Sequence, residues 1–421
     1  MELTFGRYTD SFKSKEKLNF WNESIKLFES GKFLDAYNLF FMYLCDDKIS
    51  NVTVTKGGNF IDVSLIQGSK LVKAHITQEK VTAEAELAMF DKVSIPVMRR
   101  LLEMNYSLYY SRFAIKENGI YLRFDSRTED CPPGKMYFAL KETATKADKM
   151  DDLLLDEFSV LHPIDESITE QLPEEQKEIK YKYFIKWISG TLNRIKELNE
   201  NKFEGAISYM LLNLIYKIDF LIVPEGKILN ELEILNGIYW GSEGRPLVEI
   251  NTEIKSGFEK LLAKPKENVT KEFYKVKATF GVNAPAYHQS VVNTINDNLK
   301  NPKNYTENGY EDIAKVIFEY IVNHCLYTYG LSQPTLKLFR MYSMIYNAEY
   351  FSELGFKENY YNPDTKMLNG ELIKKTITEI IEEGRHQFPQ LSFDLSKINF
   401  ASINEFTNSF LTEILNLNFE N

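Results

Sequence analysis

The side chains best suited to nucleophilic, acid–base or metal chemistry in this 421-residue chain are five histidines and three cysteines. The histidines are His75, His162, His288, His324 and His386. None lies four residues from another, so no pair shares a helix face in the way a metal site needs. Glu383 and His386 form a Glu-x-x-His. In di-iron bundles that spacing sets both ligands on one face, but two such motifs and two further glutamates are required. Only one is present, and Gly384 interrupts it, so the pair is expected at the surface near a helix end. His324 and Cys325 are adjacent, which on a helix points them about 100° apart. Cys325 therefore reads as core, not as an activated thiolate. Cys45, Cys131 and Cys325 contain no CxxC, which leaves neither a zinc knuckle nor a thioredoxin motif. Three reduced thiols suit a reducing cytosol. The carboxylates Asp151 and Asp152, Glu231 and Glu233, and Glu382 and Glu383 read as solvated faces. No GxGxxG, HExxH, GxSxG or phosphate-binding GxxxxGK loop occurs, and no cofactor is implied.

The most suggestive constellation is aromatic. Tyr106, Tyr109, Tyr110, Phe113, Tyr121 and Phe124 crowd one expected hairpin. As a strand, Tyr106, Leu108 and Tyr110 would share one face, and Tyr109, Phe113 and Ile115 the other. A strand apolar on both faces is covered on both. The cover is either helices of the same domain or another surface, a partner chain or the second half. Tyr106, Tyr109, Tyr110, Phe113 and Tyr121 are therefore the candidate binding residues, since aromatic anchors dominate interfaces.

Composition narrows the functional class. The chain is 44% hydrophobic and 26% charged, as a globular protein is, with a formal net charge of −10. That balance argues against nucleic acid as a partner, because phosphates need a basic surface. Up to Leu161 there are 22 Lys and Arg against 24 Asp and Glu; beyond it there are 28 against 36. The start of the chain shows no apolar core of a signal peptide. The most hydrophobic window, Ala206 to Val223, holds Asn213, Lys217 and Asp219, so it reads as a buried helix and no membrane is expected.

The elements that must position these residues fall into two groups. A helical hairpin comes first, with Phe20, Trp21, Ile25, Leu27 and Phe28 before Gly31, and Phe33, Ala36, Leu39, Phe40, Tyr43 and Leu44 after it. It resembles one tetratricopeptide hairpin, but no second copy follows, so a lone helix pair packing on a sheet is expected. Strands follow at Asn51–Thr55, Phe60–Ile66 and Leu71–Thr77. Val81–Leu87 is a candidate fourth, with Glu84 and Glu86 on its solvent face. A helix opens at Ser94-Ile95-Pro96 and runs to about Met104. Strands are expected at Tyr106–Ile115 and Ile120–Phe124 around Asn118-Gly119, then a helix over Phe138–Phe158. Strands grouped apart from helices mean an α+β domain with an antiparallel sheet. His162 to about Gln176 reads as a linker. The remainder, 177–421, reads as all helix, near 227–239, 246–262, 267–279, 286–299, 309–329, 334–354, 370–383 and 403–417, with no second sheet. The expected domains are thus 1–161 and 177–421.

The stretch Leu101-Leu102-Glu103-Met104-Asn105-Tyr106, with Arg112-Phe113-Ala114-Ile115 and Asn118-Gly119-Ile120-Tyr121-Leu122, resembles the bacterial YbjN family, similar in fold to type III secretion chaperones. The likeness spans about residues 15–160 and includes Ala147-Asp148 in the closing helix. It implies a type III secretion chaperone-like fold and binding of a protein or peptide, often by a homodimer, and it carries no catalytic residues. The helical half resembles nothing nameable. The leading expectation is a cytoplasmic, chaperone-like or adaptor-like interaction module without catalysis. The alternatives are a small-ligand regulator with a site between the halves, or an enzyme whose site is assembled in the helical half from Glu383, His386, His324 and Asp312. For the enzyme, those groups must converge in one pocket.

Overall fold

Alternating Val, Ile and Ala positions in the first half form an antiparallel sheet, and the second half winds almost wholly into helices. The structure, a computed structural model, describes residues 5–8, 13–46, 48–92, 94–164, 167–281 and 283–420.

In the first half, α1 (Lys15–Glu29) and α2 (Phe33–Leu44) form the expected hairpin. Ser14 caps α1 by accepting the Lys17 N–H at 3.2 Å. Gly31 takes φ +79° between the helices, where an L side chain is strained. Strands β1 (Val52–Lys56), β2 (Phe60–Gln67), β3 (Lys70–Thr77) and β4 (Lys80–Phe90) form a meander. The candidate fourth strand is thus real. Then come α3 (Ile95–Asn105), β5 (Arg112–Lys116), β6 (Gly119–Arg127) and α4 (Pro133–Glu157). The sheet order is β1-β2-β3-β4-β6-β5, and β7 (Leu161–His162) pairs with the end of β4. Val81, Ala83, Ala85 and Leu87 of β4 face the core, while Glu84 and Glu86 lie on the opposite face. Helix α4 packs across β2, β3, β4 and β6, burying Met136, Ala139, Leu140, Ala144 and Ala147. It starts five residues before the expected Phe138, because Pro133 occupies a first turn that needs no N–H from it. The hairpin packs as a single pair, with α2 against β1 and β2.

Two expectations are corrected by this sheet. Tyr106 to Ser111 is a turn, and the strand begins only at Arg112. The expected helix over 267–279 ends as α9 (Lys266–Thr270). Beyond it, β9 (Tyr274–Lys275) pairs with β8 (Glu170–Gln171), and the following residues join the sheet's core. Gln67 is the reason. Its side-chain oxygen accepts the N–H groups of Thr279 at 3.2 Å and Phe280 at 3.0 Å, and its amide donates to the Phe280 carbonyl at 3.3 Å. Phe280 is buried against Tyr137 at 5.5 Å between ring centroids. A long-range pairing of this kind overrides local helix propensity.

The chain accordingly forms two compact units. One comprises Lys13–Gln171 with Tyr274–Val282; the other comprises Met1–Phe12, Leu172–Phe273 and Asn283–Asn421. The first crossing after the sheet lies inside the expected linker, but the expected contiguous halves exchange two short segments.

The helical unit contains α5 (Glu174–Lys196), α6 (Glu204–Lys217) and, after α6, a π-helical turn at Ile218–Ile222. Next come α7 (Gly226–Trp240), α8 (Leu247–Leu262), α10 (His288–Asn298), α11 (Lys300–Glu307) and α12 (Glu311–Thr328). Then α13 (Gln333–Tyr346), α14 (Ala348–Glu353), α15 (Gly370–Arg385) and α16 (Ile403–Leu415) complete it. A two-residue ladder, β10 (Tyr361–Asn362) with β11 (Met367–Leu368), adds a further small sheet that was not expected. Pro302 sits in the first turn of α11, where its missing N–H costs no intrahelical bond. By length and composition Glu204–Ile222 would span a membrane, yet 83% of its most apolar window is buried.

The expected single helix over 334–354 breaks at Asn347, which is drawn into a buried polar network. Glu319 accepts from Asn213 at 2.8 Å and Asn347 at 3.0 Å, and pairs with Lys217 at 2.9 Å. Asn323 donates to Asn213 at 2.9 Å. Burial pushes the Glu319 carboxyl up, but Lys217 and the amide donors outweigh it and hold the group below its ordinary value. Truncating one partner strands the rest in a dry core. Glu319→Ala is therefore expected to cost about 3–5 kcal/mol in urea unfolding, and the double change Glu319→Leu with Lys217→Met markedly less. In the sheet unit, Gln67→Ala leaves two backbone N–H groups without acceptors and should cost about 2–3 kcal/mol by the same measurement.

Candidate functional site

Helix α3 buries one apolar face and carries apolar residues, with Arg99 among them, on the opposite side. Val97, Leu101 and Met104 are buried in the sheet unit. Ile95, Leu102 and Tyr106 sit within about 20° of one line on the other side, at 100° per residue. That side faces outward: Ile95 is 68% exposed, Leu102 70% and Tyr106 96%. A helix with one sheet to cover needs only one apolar stripe, so the second stripe is unexplained by folding.

The turn after α3 continues this surface. Tyr109 is 92% exposed and Tyr110 is partly exposed. Their backbone is held by one side chain of α4. Glu142 accepts the N–H groups of Tyr109 and Tyr110 at 2.8 Å each, that of Ser111 at 2.7 Å and the Ser111 hydroxyl at 2.7 Å. Asn105 accepts the N–H of Phe113 at 2.7 Å. These two acceptors replace the ladder that an extended strand would have formed, so the tyrosines project from a turn. Phe138 lies one turn before Glu142 on the same side of α4 and is 56% exposed.

The five aromatic candidates therefore separate. Tyr106, Tyr109 and Tyr110 lie on the outward turn. Phe113 is buried in the core, and Tyr121 lies half-exposed on the sheet's outer face with the Lys116 ammonium 5.8 Å from its ring centre. Burial and a hydrogen bond with Glu86 push the Tyr121 hydroxyl up to about 12. The two-faced strand expected over Tyr106–Ile115 does not exist. Sequence reading passed over Ile95, Leu102 and Phe138, although the opposed stripes of α3 were visible at helical spacing. Glu142 left no such signal, because a glutamate on an amphipathic helix looks solvated.

The outer face of the sheet is charged. A cross-strand row runs Ser64, Lys73, Glu84, Arg123, Arg112, and a second runs Asp62, His75, Thr82, Asp125. Glu84 pairs with Arg123 at 3.5 Å and Lys116 at 3.7 Å, and Asp62 with His75 at 2.6 Å. The rows line a shallow concavity of about 310 Å³. Its lining mixes Lys73, Lys116 and Arg123 with Asp62 and Glu84, so the net field is small and singles out no ligand.

Three of the four residues of the enzyme alternative are engaged elsewhere, and the fourth is exposed. Asp312 pairs with Arg194 at 2.6 Å, and Glu383 with Lys337. His386 lies exposed just past α15. His324 packs among Tyr216, Tyr320, Tyr329 and Trp240, and burial pushes its pKa down to about 4. None is a partner of another, and among the described residues no three His, Cys, Asp or Glu side chains gather as a metal site. Comparison with protein-family models and with curated proteins finds no match.

Burial pushes the Glu142 carboxyl up, but the Ser111 backbone and hydroxyl donors and the N–H groups of Tyr109 and Tyr110 outweigh it, so it lies below its ordinary value. A lowered folded value means that the carboxylate stabilises the fold above its unfolded value, about 4.3, and stops doing so as pH falls through the folded value. Glu142→Gln should cost about 1–2 kcal/mol at pH 7, less than a fully buried charge would, because the site is partly solvated. In thermal unfolding across pH 3–7, the gap between wild type and variant should narrow below about pH 4.

Proposed function

We propose that the sheet unit is a chaperone-like or adaptor-like polypeptide-binding module, and that Ile95, Leu102, Tyr106, Tyr109 and Phe138 form its docking surface. The observation that carries this reading is the set of exposed apolar residues on the outward side of α3, Ile95, Leu102 and Tyr106, continued by the nearly fully exposed Tyr109. Large apolar side chains grouped on a surface mark interaction sites, and tyrosines are frequent anchors. Glu142 and Asn105 fix the backbone that presents them, so little order has to be imposed on binding. The resemblance to YbjN and type III secretion chaperones, read from the sequence of about residues 15–160, would imply the same activity. Three unpaired cysteines, Cys45, Cys131 and Cys325, suit a reducing cytoplasm.

The test is affinity capture with the wild-type chain as bait, followed by calorimetry on the partner recovered. Tyr106→Ser combined with Tyr109→Ser, and separately Leu102→Glu, should weaken binding at least tenfold, about 1.4 kcal/mol, while leaving the melting temperature within about 2 °C. Light scattering identifies a second copy as the partner if wild type is a dimer and the variants are monomers. Equal affinity in wild type and variants, or no partner retained and a monomeric wild type, overturns the proposal.

A further inference from the structure

The segment Phe5-Gly6-Arg7 is held in the helical unit residue by residue. The Phe5 ring packs edge-on against Phe351 at 4.5 Å, Phe356 at 5.7 Å and Phe220 at 6.0 Å between centroids. The Arg340 guanidinium lies 5.8 Å from its ring centre. Gly6 has φ +88°, and a Cβ there would stand 2.5 Å from Cζ of Phe220. No side chain fits, so this position admits glycine alone. The Arg7 Nε donates to Asp219 at 2.6 Å, Nη1 to Glu225 at 3.0 Å, and Nη2 to the Pro224 carbonyl.

The receiving walls are built at some cost. Asp219 and Glu225 are both buried, and burial pushes both carboxyls up against the pull of Arg7. Asp219 and Phe220 lie in the π-helical turn, a geometry rare enough to be associated with function. Val223, which ends it, takes φ +53°, unusual for a β-branched residue. These features set an aromatic slot beside two carboxylates and a carbonyl, matched to a flat cation with several donors.

We propose that this slot is a recognition site for a polypeptide segment of the form aromatic-Gly-Arg, and that residues Phe5–Arg7 occupy it in cis as a displaceable plug. The three contacts depend on three consecutive residues, so the same residues on a separate chain meet the same walls. The cis segment has the advantage of high effective concentration alone. This site is distinct from the α3 surface and stands or falls independently of it.

The test uses a fluorescent peptide of the sequence of residues 3–8, titrated by anisotropy against full-length chains. Wild type, with its slot filled, should bind weakly. The full-length variants Arg7→Ala and Gly6→Ala should bind the peptide at least tenfold more tightly. Peptides carrying Gly6→Ala or Arg7→Ala should lose that gain, as should the chain carrying Arg7→Ala with Asp219→Asn. Circular dichroism and melting are measured alongside. Variants that fold like wild type yet bind no better overturn the proposal. Variants that fail to fold also overturn it, because the segment is then a permanent staple and not a plug.

Discussion

Where regular structure stops, backbone polar groups lose their ladder partners, and this fold repeatedly assigns them to one side chain. Gln67 brackets the backbone of Thr279 and Phe280 and so draws a distant segment into the sheet unit. Glu142 gathers three N–H groups and ends the aromatic run as a turn. Arg7 closes over the Pro224 carbonyl beside two carboxylates. Each device makes its segment depend on one polar residue far away in sequence.

The same economy separates the two surfaces with functional content. In the sheet unit the solvent face carries paired charges in cross-strand rows, which protect a sheet from unwanted association. The short edge strands β1 and β5 end in Lys56 and Lys116, with the same effect. Against that background, uncovered Leu102, Tyr106 and Tyr109 stand out, because nothing in the unit's own packing requires them outside. In the helical unit the logic reverses. Two groups of interior charges are matched: Glu319 by Lys217 and two asparagines, Asp219 and Glu225 by Arg7. A matched interior charge specifies its partner closely, since any other neighbour leaves it unpaired.

Much of the architecture was legible in the residues. Alternation in β2, β3 and β4, the Asn118-Gly119 turn and the apolar run of α6 depend on neighbours within a few positions, which a sequence displays directly. The binding residues were legible only in part. Tyr106, Tyr109 and Tyr110 were singled out by type, but their setting was misread, because Glu142 lies some thirty positions away and competes with strand pairing. Phe113, chosen with them, belongs to the core for the same reason: its N–H is fixed by Asn105 and its ring turns inward.

By itself the sequence determined the class of the protein: an antiparallel α+β unit followed by a unit built mainly of helices. Periodicity and composition are local or additive quantities, so they survive without coordinates. Tertiary structure decided which apolar residues stay outside, which buried charges meet, and to which unit residues 274–282 and 5–8 belong. Those outcomes rest on hydrogen bonds and ring contacts between residues up to more than two hundred positions apart, and no spacing rule along the chain encodes them.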